Sequence, residues 1–415
     1  MDTGDRRVPI AATAWGQASP LALRTSRKWP FRTDLALLGL IAVQPLEQAV
    51  PPDAISPTKV AGAICLVTLI LDLVVTGRAL RFDGADAILL VLLAIGCAST
   101  LVADSPSDAV ATTVRLAGFV ALFVITTQFV DDPRLIRRLL WVLSLSAAVA
   151  ATLAISNMLG GRSLLAEPTH GDSNDLAYFL ATTLPMTAWL IHRSRRFRPL
   201  AVVCFVTMSM GVVFSLSRGA LVGLAVGVVF LAWTEPRSRK AIALSVVVVA
   251  VVATGLATTH RATWSTAISA KERVADENVE SRFELWHAAA VMATEHPFLG
   301  VGPGNFEEEV AEASGRPAGS PSFVVHDAYL EVAAEFGIGG LVAFLAFLLM
   351  QWHRLGRAVS RPDARPLASA VRVSFVIALV GALTLSEQFF APIWIAASLA
   401  TVLDVASEHR MEPES

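Results

Sequence analysis

Arg218, Arg282, His326 and Glu335 are the side chains best suited to act on a phosphate or a hydroxyl. The first three fall between or at the margins of long apolar blocks. Arg218 sits in Ser217-Arg218-Gly219, a turn with almost no loop on either side. A guanidinium there is held at a lipid boundary, and its planar fork matches phosphate oxygens. The same position also suits a tight turn whose arginine snorkels to headgroups. Gly219 allows another backbone or a ligand to approach closely. Arg282 opens a run with Phe283, Leu285, Trp286, Ala289, Ala290 and Met292, the spacing of an amphipathic helix with its apolar side against a membrane domain. Arg282 can serve a substrate or pair with a neighbouring acid. His326, at another block boundary, has the side chain whose ordinary pKa suits taking a proton from a hydroxyl, unless its role is structural. Glu331 and Glu335 lie four apart on one helix face, and Glu335 falls about two turns into an apolar span. A carboxylate at that depth needs a partner, and an arginine is the expected one.

Between Arg282 and His326 runs Gly300-Val301-Gly302-Pro303-Gly304-Asn305-Phe306. Three glycines and a proline so close together make a defined turn. The stretch lacks the preceding strand and the Gly-Lys-Ser/Thr of a nucleotide-binding loop. Gly302 and Gly304 are therefore expected to turn the chain back across a site. Arg115 lies about a turn inside a span, where a charge suggests either a functional role or snorkelling. Arg372 is expected to snorkel. In His170-Gly171-Asp172-Ser173-Asn174-Asp175, Asn174 or Asp175 is expected to cap a helix. No His/Asp/Cys group has metal-ligand spacing, and no Gly-x-Ser-x-Gly elbow occurs. Cys65, Cys97 and Cys204 all fall in apolar blocks and read as small buried hydrophobes, not a disulfide framework.

The elements that must position these groups follow from composition. The chain of 415 residues is 54% hydrophobic and only 16% charged, against about 25% charged in soluble domains. Its apolar residues form continuous blocks, which excludes the alternation of a β-barrel. Roughly twelve blocks are long enough to read as spans, at 34–50, 58–76, 86–103, 110–130, 135–159, 175–192, 199–216, 219–234, 241–258, 328–352, 368–385 and 389–404. The first is interrupted by Pro45 and Glu47 and is the least regular. The class is all-α, a polytopic transmembrane protein. With the N-terminus cytoplasmic, roughly two thirds of the 33 Lys and Arg residues fall inside. That orientation makes residues 1–33 a basic cytoplasmic segment, 34–258 the first nine spans, 259–327 an extracytoplasmic loop with the amphipathic helix, 328–404 the last three spans and 405–415 a cytoplasmic tail. It puts Arg115, Asp172, Asn174, Arg218, Arg282, His326 and Glu387 at or near the outer face. The Arg193–Arg198 cluster reads as an inner orientation anchor. No early apolar core or cleavage site marks a signal peptide.

Taken in order, the pieces resemble the O-antigen ligase and O-antigen polymerase superfamily of membrane glycosyltransferases. They are Asn174-Asp175-Leu176-Ala177 running to Leu184-Pro185, Phe214 to Gly219, Arg282 with Trp286, His296-Pro297 to Phe306, and His326 to Gly337. The resemblance covers roughly residues 170 to 340. It implies a GT-C-like helical fold in the bacterial inner membrane, working on the outer face. The donor would be a glycan on undecaprenyl diphosphate and the acceptor a hydroxyl of a glycolipid or glycan, with neither metal nor nucleotide sugar required. It implies that Arg218 and Arg282 grip the diphosphate and that His326 acts at the acceptor. Arg115, Asn174, Glu335, Gly302 and Gly304 are the expected substrate contacts. One departure is Asp327, where many relatives carry asparagine.

Direct displacement of the lipid diphosphate would invert the anomeric centre. A ligase attaches finished polymer to a terminal acceptor, and a polymerase joins lipid-linked repeat units. The two share donor chemistry, and the single outer loop of moderate length tilts the reading towards the ligase. A transporter would be expected to carry paired inverted repeats and broken spans at mid-membrane. The sequence has no such repeat, and its polar groups crowd one face.

Overall fold

The computed structural model describes residues 30–51, 54–77, 79–130, 132–314, 325–386 and 388–408. Glu387, residues 1–29 of the N-terminal segment and residues 409–415 of the tail therefore lie outside the described residues. Helix makes up 80% of the described residues and no strand occurs among them, so the all-α class holds. The helices are α1 (Thr33–Val43), α2 (Pro57–Thr76), α3 (Gly84–Ser99), α4 (Pro106–Phe129), α5 (Pro133–Leu159), α6 (Ser173–Arg193), α7 (Arg198–Ser215) and α8 (Arg218–Thr234). They continue as α9 (Arg239–Thr259), α10 (Arg261–Glu295), α11 (Phe306–Ser314), α12 (Ala328–Val359), α13 (Arg365–Gly381) and α14 (Ala391–Glu408).

Each of the twelve apolar blocks holds a helix. Among the described residues, six stretches are long and apolar enough to cross a membrane: α2, α4, α5, α7, α12 and Pro236–Thr259, which contains α9. Helices α3, α8 and α14 are apolar but shorter. The first block departs most from expectation. Pro45 cannot supply the N–H a continuing helix needs, so α1 ends at Val43 and the chain passes into a 3₁₀ turn over Gln44–Ala49. At about 1.5 Å per residue, α1 spans roughly half a hydrocarbon core. Local chemistry sets the other starts. Proline occupies the first helical position of α2, α4 and α5, where its missing N–H is harmless. Asp83 and Asp86 form a reciprocal capping box on α3.

Helix α6 lies centrally, packed on α5, α7, α8 and α13. Glycines bring the helices close. Gly223 and Gly227 of α8 face α13 and Gly219 faces Thr384 just beyond it, and a Cβ on Gly223 would stand 3.0 Å from Ile377 O. This is the small-residue contact that lets membrane helices pack where no hydrophobic effect drives them together. Arg372 of α13 does not behave as a simple snorkelling residue. Its guanidinium lies over the Trp352 ring, 4.1 Å from the centroid.

Helix α12 carries the site at one end and a polar clamp at the other. At the far end Arg354 pairs with Asp83 at 2.8 Å and bonds Thr401. Arg357 and Arg361 meet Asp404 of α14. These contacts tie α3, α12 and α14 together. At the near end α12 is broken. Gly337 adopts φ 69°, ψ −179°, which interrupts the helical hydrogen-bond ladder.

Candidate functional site

The break in α12 and the glycine turn fit each other. Ile338 donates its N–H to Pro297 O at 2.8 Å instead of to the carbonyl four residues back. The carbonyls this frees, at Ala334 and Glu335, accept from Val301 N (2.9 Å) and Gly302 N (3.2 Å). Ser99 of α3 also donates to the Glu335 carbonyl, at 2.9 Å. Gly300, Gly302 and Gly304 all have positive φ, which suits glycine. Asn305, wholly buried, fastens the turn to the α3–α4 connection. Its Oδ1 accepts from Ser105 N at 2.6 Å and its Nδ2 donates to Ser105 O.

Beyond the turn, residues 325–328 form a short strap. Trp286 of α10 donates its indole N–H to Val325 O at 3.0 Å. His326 N donates to Ser386 Oγ at 3.1 Å, and Ala328 N to Ala382 O at 2.9 Å. His326 has φ 53°, a conformation unusual for a residue with a Cβ. Asp327 caps α12 by accepting from Tyr329 N and Leu330 N, both at 3.0 Å. Asparagine caps a helix about as well as aspartate, so the departure at position 327 preserves the local structure.

Arg282 is within electrostatic reach of both Arg218 and His326. Arg218 is the first residue of α8, with Ser217 as its N-cap, and Gly219 lies against Thr384. Arg282 is half-buried, and its Nε has no hydrogen-bond partner. Burial, then the charge of Arg218, lower the pKa of the Arg282 guanidinium. Burial lowers that of His326, the charge of Arg282 lowers it further, and Asp172 opposes both. The result is an exposed Arg218 and a half-buried Arg282 near an imidazole held neutral to lower pH than usual.

A cavity of about 170 Å³ borders the strap at Val325 and Ser386. Arg115, Gly304, Glu331 and Glu335 line it, whereas Arg218, Arg282 and His326 do not. Glu331 accepts from Gln388 Nε2 at 2.6 Å, interacts with Ser386 and feels the charge of Arg115. Glu335 has no arginine hydrogen-bonded to it among the described residues. Its carboxylate faces the backbone N–H groups of Gly304 and Phe306, at the turn and at the first residue of α11. A helix N-terminus with unpaired N–H groups satisfies a carboxylate in place of a cation. Glu335 Oε2 and Gln388 Oε1 accept no hydrogen bond. Glu307, also on the cavity wall, has its pKa raised by burial and by Asp108.

Several sequence expectations change here. The cap of α6 is Asp172, whose Oδ1 accepts from Asn174 N at 2.7 Å, not Asn174 or Asp175. Asp175 instead accepts from Gln48 Nε2 at 2.8 Å. The surface helix starts at Arg261, about twenty residues earlier than the apolar pattern indicated. Its buried stripe is Leu285, Ala289, Met292 and Ala293, while Phe283 and Ala290 are exposed. Gly302 packs on Ala103 and does not line the cavity, in contrast to Gly304. Ser386, Gln388 and Asp172 were not singled out as site residues. Nothing local marks the first two, which join the site only through folding.

Residues 203–345 match a family model described as O-antigen ligase. That stretch runs from α7 into α12 and contains Arg218, Arg282, the glycine turn, His326, Glu331 and Glu335. It bears out the resemblance to the O-antigen ligase and polymerase superfamily and indicates an O-antigen ligase-like, glycosyltransferase-type activity in a membrane protein. Arg115 and Asn174 precede the matched stretch, which covers a minority of the chain. No curated protein matches the chain.

Proposed function

We propose that this protein is an inverting membrane glycosyltransferase that moves a glycan from undecaprenyl diphosphate to an acceptor hydroxyl on the outer face of the bacterial inner membrane. The observation that carries this reading is the grouping of Arg218 and Arg282 with His326, within a segment matching the O-antigen ligase family. Arg282 is half-buried, and its pKa is lowered first by that burial and second by repulsion from the more exposed Arg218. A dianionic diphosphate relieves that repulsion and accepts the guanidinium hydrogen bonds, including one from the unpartnered Nε of Arg282.

In the step we propose, the acceptor oxygen attacks the anomeric carbon from the side opposite the diphosphate. The bond from that carbon to the phosphate oxygen breaks, and its electron pair leaves on the diphosphate, where Arg218 and Arg282 neutralise it. The hydroxyl proton passes to His326, whose depressed pKa keeps the imidazole neutral and receptive. The leaving group is already activated, so this route needs neither metal nor nucleotide sugar. The distribution of Lys and Arg supports cytoplasmic termini and an outer location for the strap.

The ligase reading is preferred over the repeat-unit polymerase because the matching family is described as O-antigen ligase. The test uses purified protein, a lipid-diphosphate-linked donor and a glycolipid acceptor. Arg218→Ala, Arg282→Ala and His326→Ala are each expected to abolish transfer while membrane insertion is retained. Full activity in any of them removes that residue from the mechanism. In a deletion strain, unattached polymer on the surface supports the ligase, whereas single repeat units support the polymerase.

A further inference from the structure

The acidic cavity has no role in the displacement just described. Its walls carry three carboxyl groups, Glu307, Glu331 and Glu335, against one guanidinium, Arg115. That balance disfavours a diphosphate. Three of its acceptor atoms, Glu331 Oε2, Glu335 Oε2 and Gln388 Oε1, have no partner among the described residues, although Glu335 and Gln388 are only 3% exposed. Gln388 is an amide outside the acidic group, so the unmet acceptor capacity is not a property of the carboxylates alone. Buried acceptors of this kind call for a ligand rich in hydroxyl donors. Phe306 and Phe389 add apolar wall beside them. A site of about 150 Å³ holds a benzene ring, so about 170 Å³ fits one six-membered ring. A pyranose combines that size with hydroxyl donors around the rim and C–H faces for the phenylalanines.

We propose that the cavity bounded by Glu331, Glu335 and Gln388 is a sugar subsite that takes one uncharged pyranose ring of a substrate and discriminates against uronic acids. The inference rests on the glycosyltransferase reading and adds to it a selector of sugar chemistry. The strap makes the arrangement coherent. Ser386 Oγ accepts from His326 N on one side and meets Glu331 on the other. Val325 and Ser386, which line the cavity, thus link a ring seated against Glu331 and Glu335 to the backbone of His326. The ring belongs either to the acceptor or to the glycan of the donor. Both sources present the same chemistry.

The test uses the full-length protein in detergent micelles, with methyl α-glucopyranoside and sodium glucuronate as probes in saturation-transfer NMR. The glucoside is expected to give signal and the glucuronate about tenfold less. Glu335→Gln and Gln388→Ala, checked for monodispersity, should each lose the glucoside signal, while Arg218→Ala keeps it. Because Glu335→Gln preserves side-chain size and Gln388→Ala acts at a separate residue, misfolding of one leaves the other decisive. Wild-type protein without glucoside signal, signal indifferent to both substitutions, or a preference for glucuronate overturns the proposal. Kinetics then separate the sources. Loss of one hydrogen bond should raise one substrate's KM by about tenfold or more. A rise for the acceptor in Glu335→Gln assigns the ring to the acceptor, and a rise for the donor assigns it to the donor. No change in either KM also overturns the subsite. If Arg218→Ala and Arg282→Ala transfer normally, the transferase mechanism fails, and the sugar signal still stands or falls separately.

Discussion

Replacing Gly337 with alanine strikes the joint on which the site is built. At φ 69°, ψ −179° the backbone lies in a region essentially restricted to glycine, and holding alanine there costs about 1–3 kcal/mol. Space is lacking as well. A Cβ would stand 2.7 Å from Phe298 C and 2.8 Å from the carbonyl oxygens of Phe298 and Pro297, all backbone atoms unable to rotate away. Overpacking of this kind adds about 1–3 kcal/mol, so Gly337→Ala should destabilise by about 2–6 kcal/mol. Gly339, two residues on, is the control. It is helical, and a Cβ there meets nothing closer than Ile95 Cδ1 at 3.8 Å. Gly339→Ala should stabilise by about 0.5–1 kcal/mol. The assay is the midpoint of thermal unfolding in detergent, followed by tryptophan fluorescence. The two variants should move in opposite directions, and Gly337→Ala should also lower transfer by displacing the turn from Glu335. An unchanged midpoint for Gly337→Ala would falsify the account of the turn docked into the helix break.

Further outcomes follow from the strap and the turn. His326 has a folded pKa below its ordinary value, so a base at this position loses activity only as pH falls through that lowered value. Arg282→Gln removes one cause of the lowering and should move the acid limb of the pH–rate profile, read from residual rates, to higher pH. Asp172→Asn keeps the α6 cap but removes the opposing charge, so the same limb should move to lower pH. Asn305→Ala leaves the Ser105 N–H and two carbonyls without their partner. It should destabilise by about 1–3 kcal/mol in the same thermal assay. Asp327→Ala should cost about 1 kcal/mol as a lost N-cap, whereas Asp327→Asn should be close to neutral.

The helices were legible because a lipid environment demands long apolar runs, and each run in the sequence became one helix. Pro45 was also legible as an interruption, and it does end α1. The reach of α10 was not, because residues 261–281 lack the apolar periodicity that marks a packed face, although they contain neither glycine nor proline. Arg218, Arg282 and His326 could be picked out as charged or titratable groups at block boundaries. Their convergence depends on α8, α10 and the strap meeting in space. Glu335 shows the limit of residue-type reasoning. A buried carboxylate was expected to seek an arginine, whereas backbone N–H groups from a distant turn meet the need. The cap of α6 was missed by two residues because Asp172, Asn174 and Asp175 all have side chains that can accept from a helix N-terminus.

Helix α9 stands apart from this economy of fitted parts. None of its residues is buried, although several lean against the bundle. No cavity, cap or ion pair constrains the identity of Val246, Val247 or Val251, which are open to the surroundings. Natural variation should therefore run fastest here, with leucine, isoleucine and valine interchanging freely. A wholesale rewrite in another greasy alphabet should leave the enzyme working, provided the length is kept. For the engineer, this is the place to graft a label or a crosslinker without disturbing the chemistry.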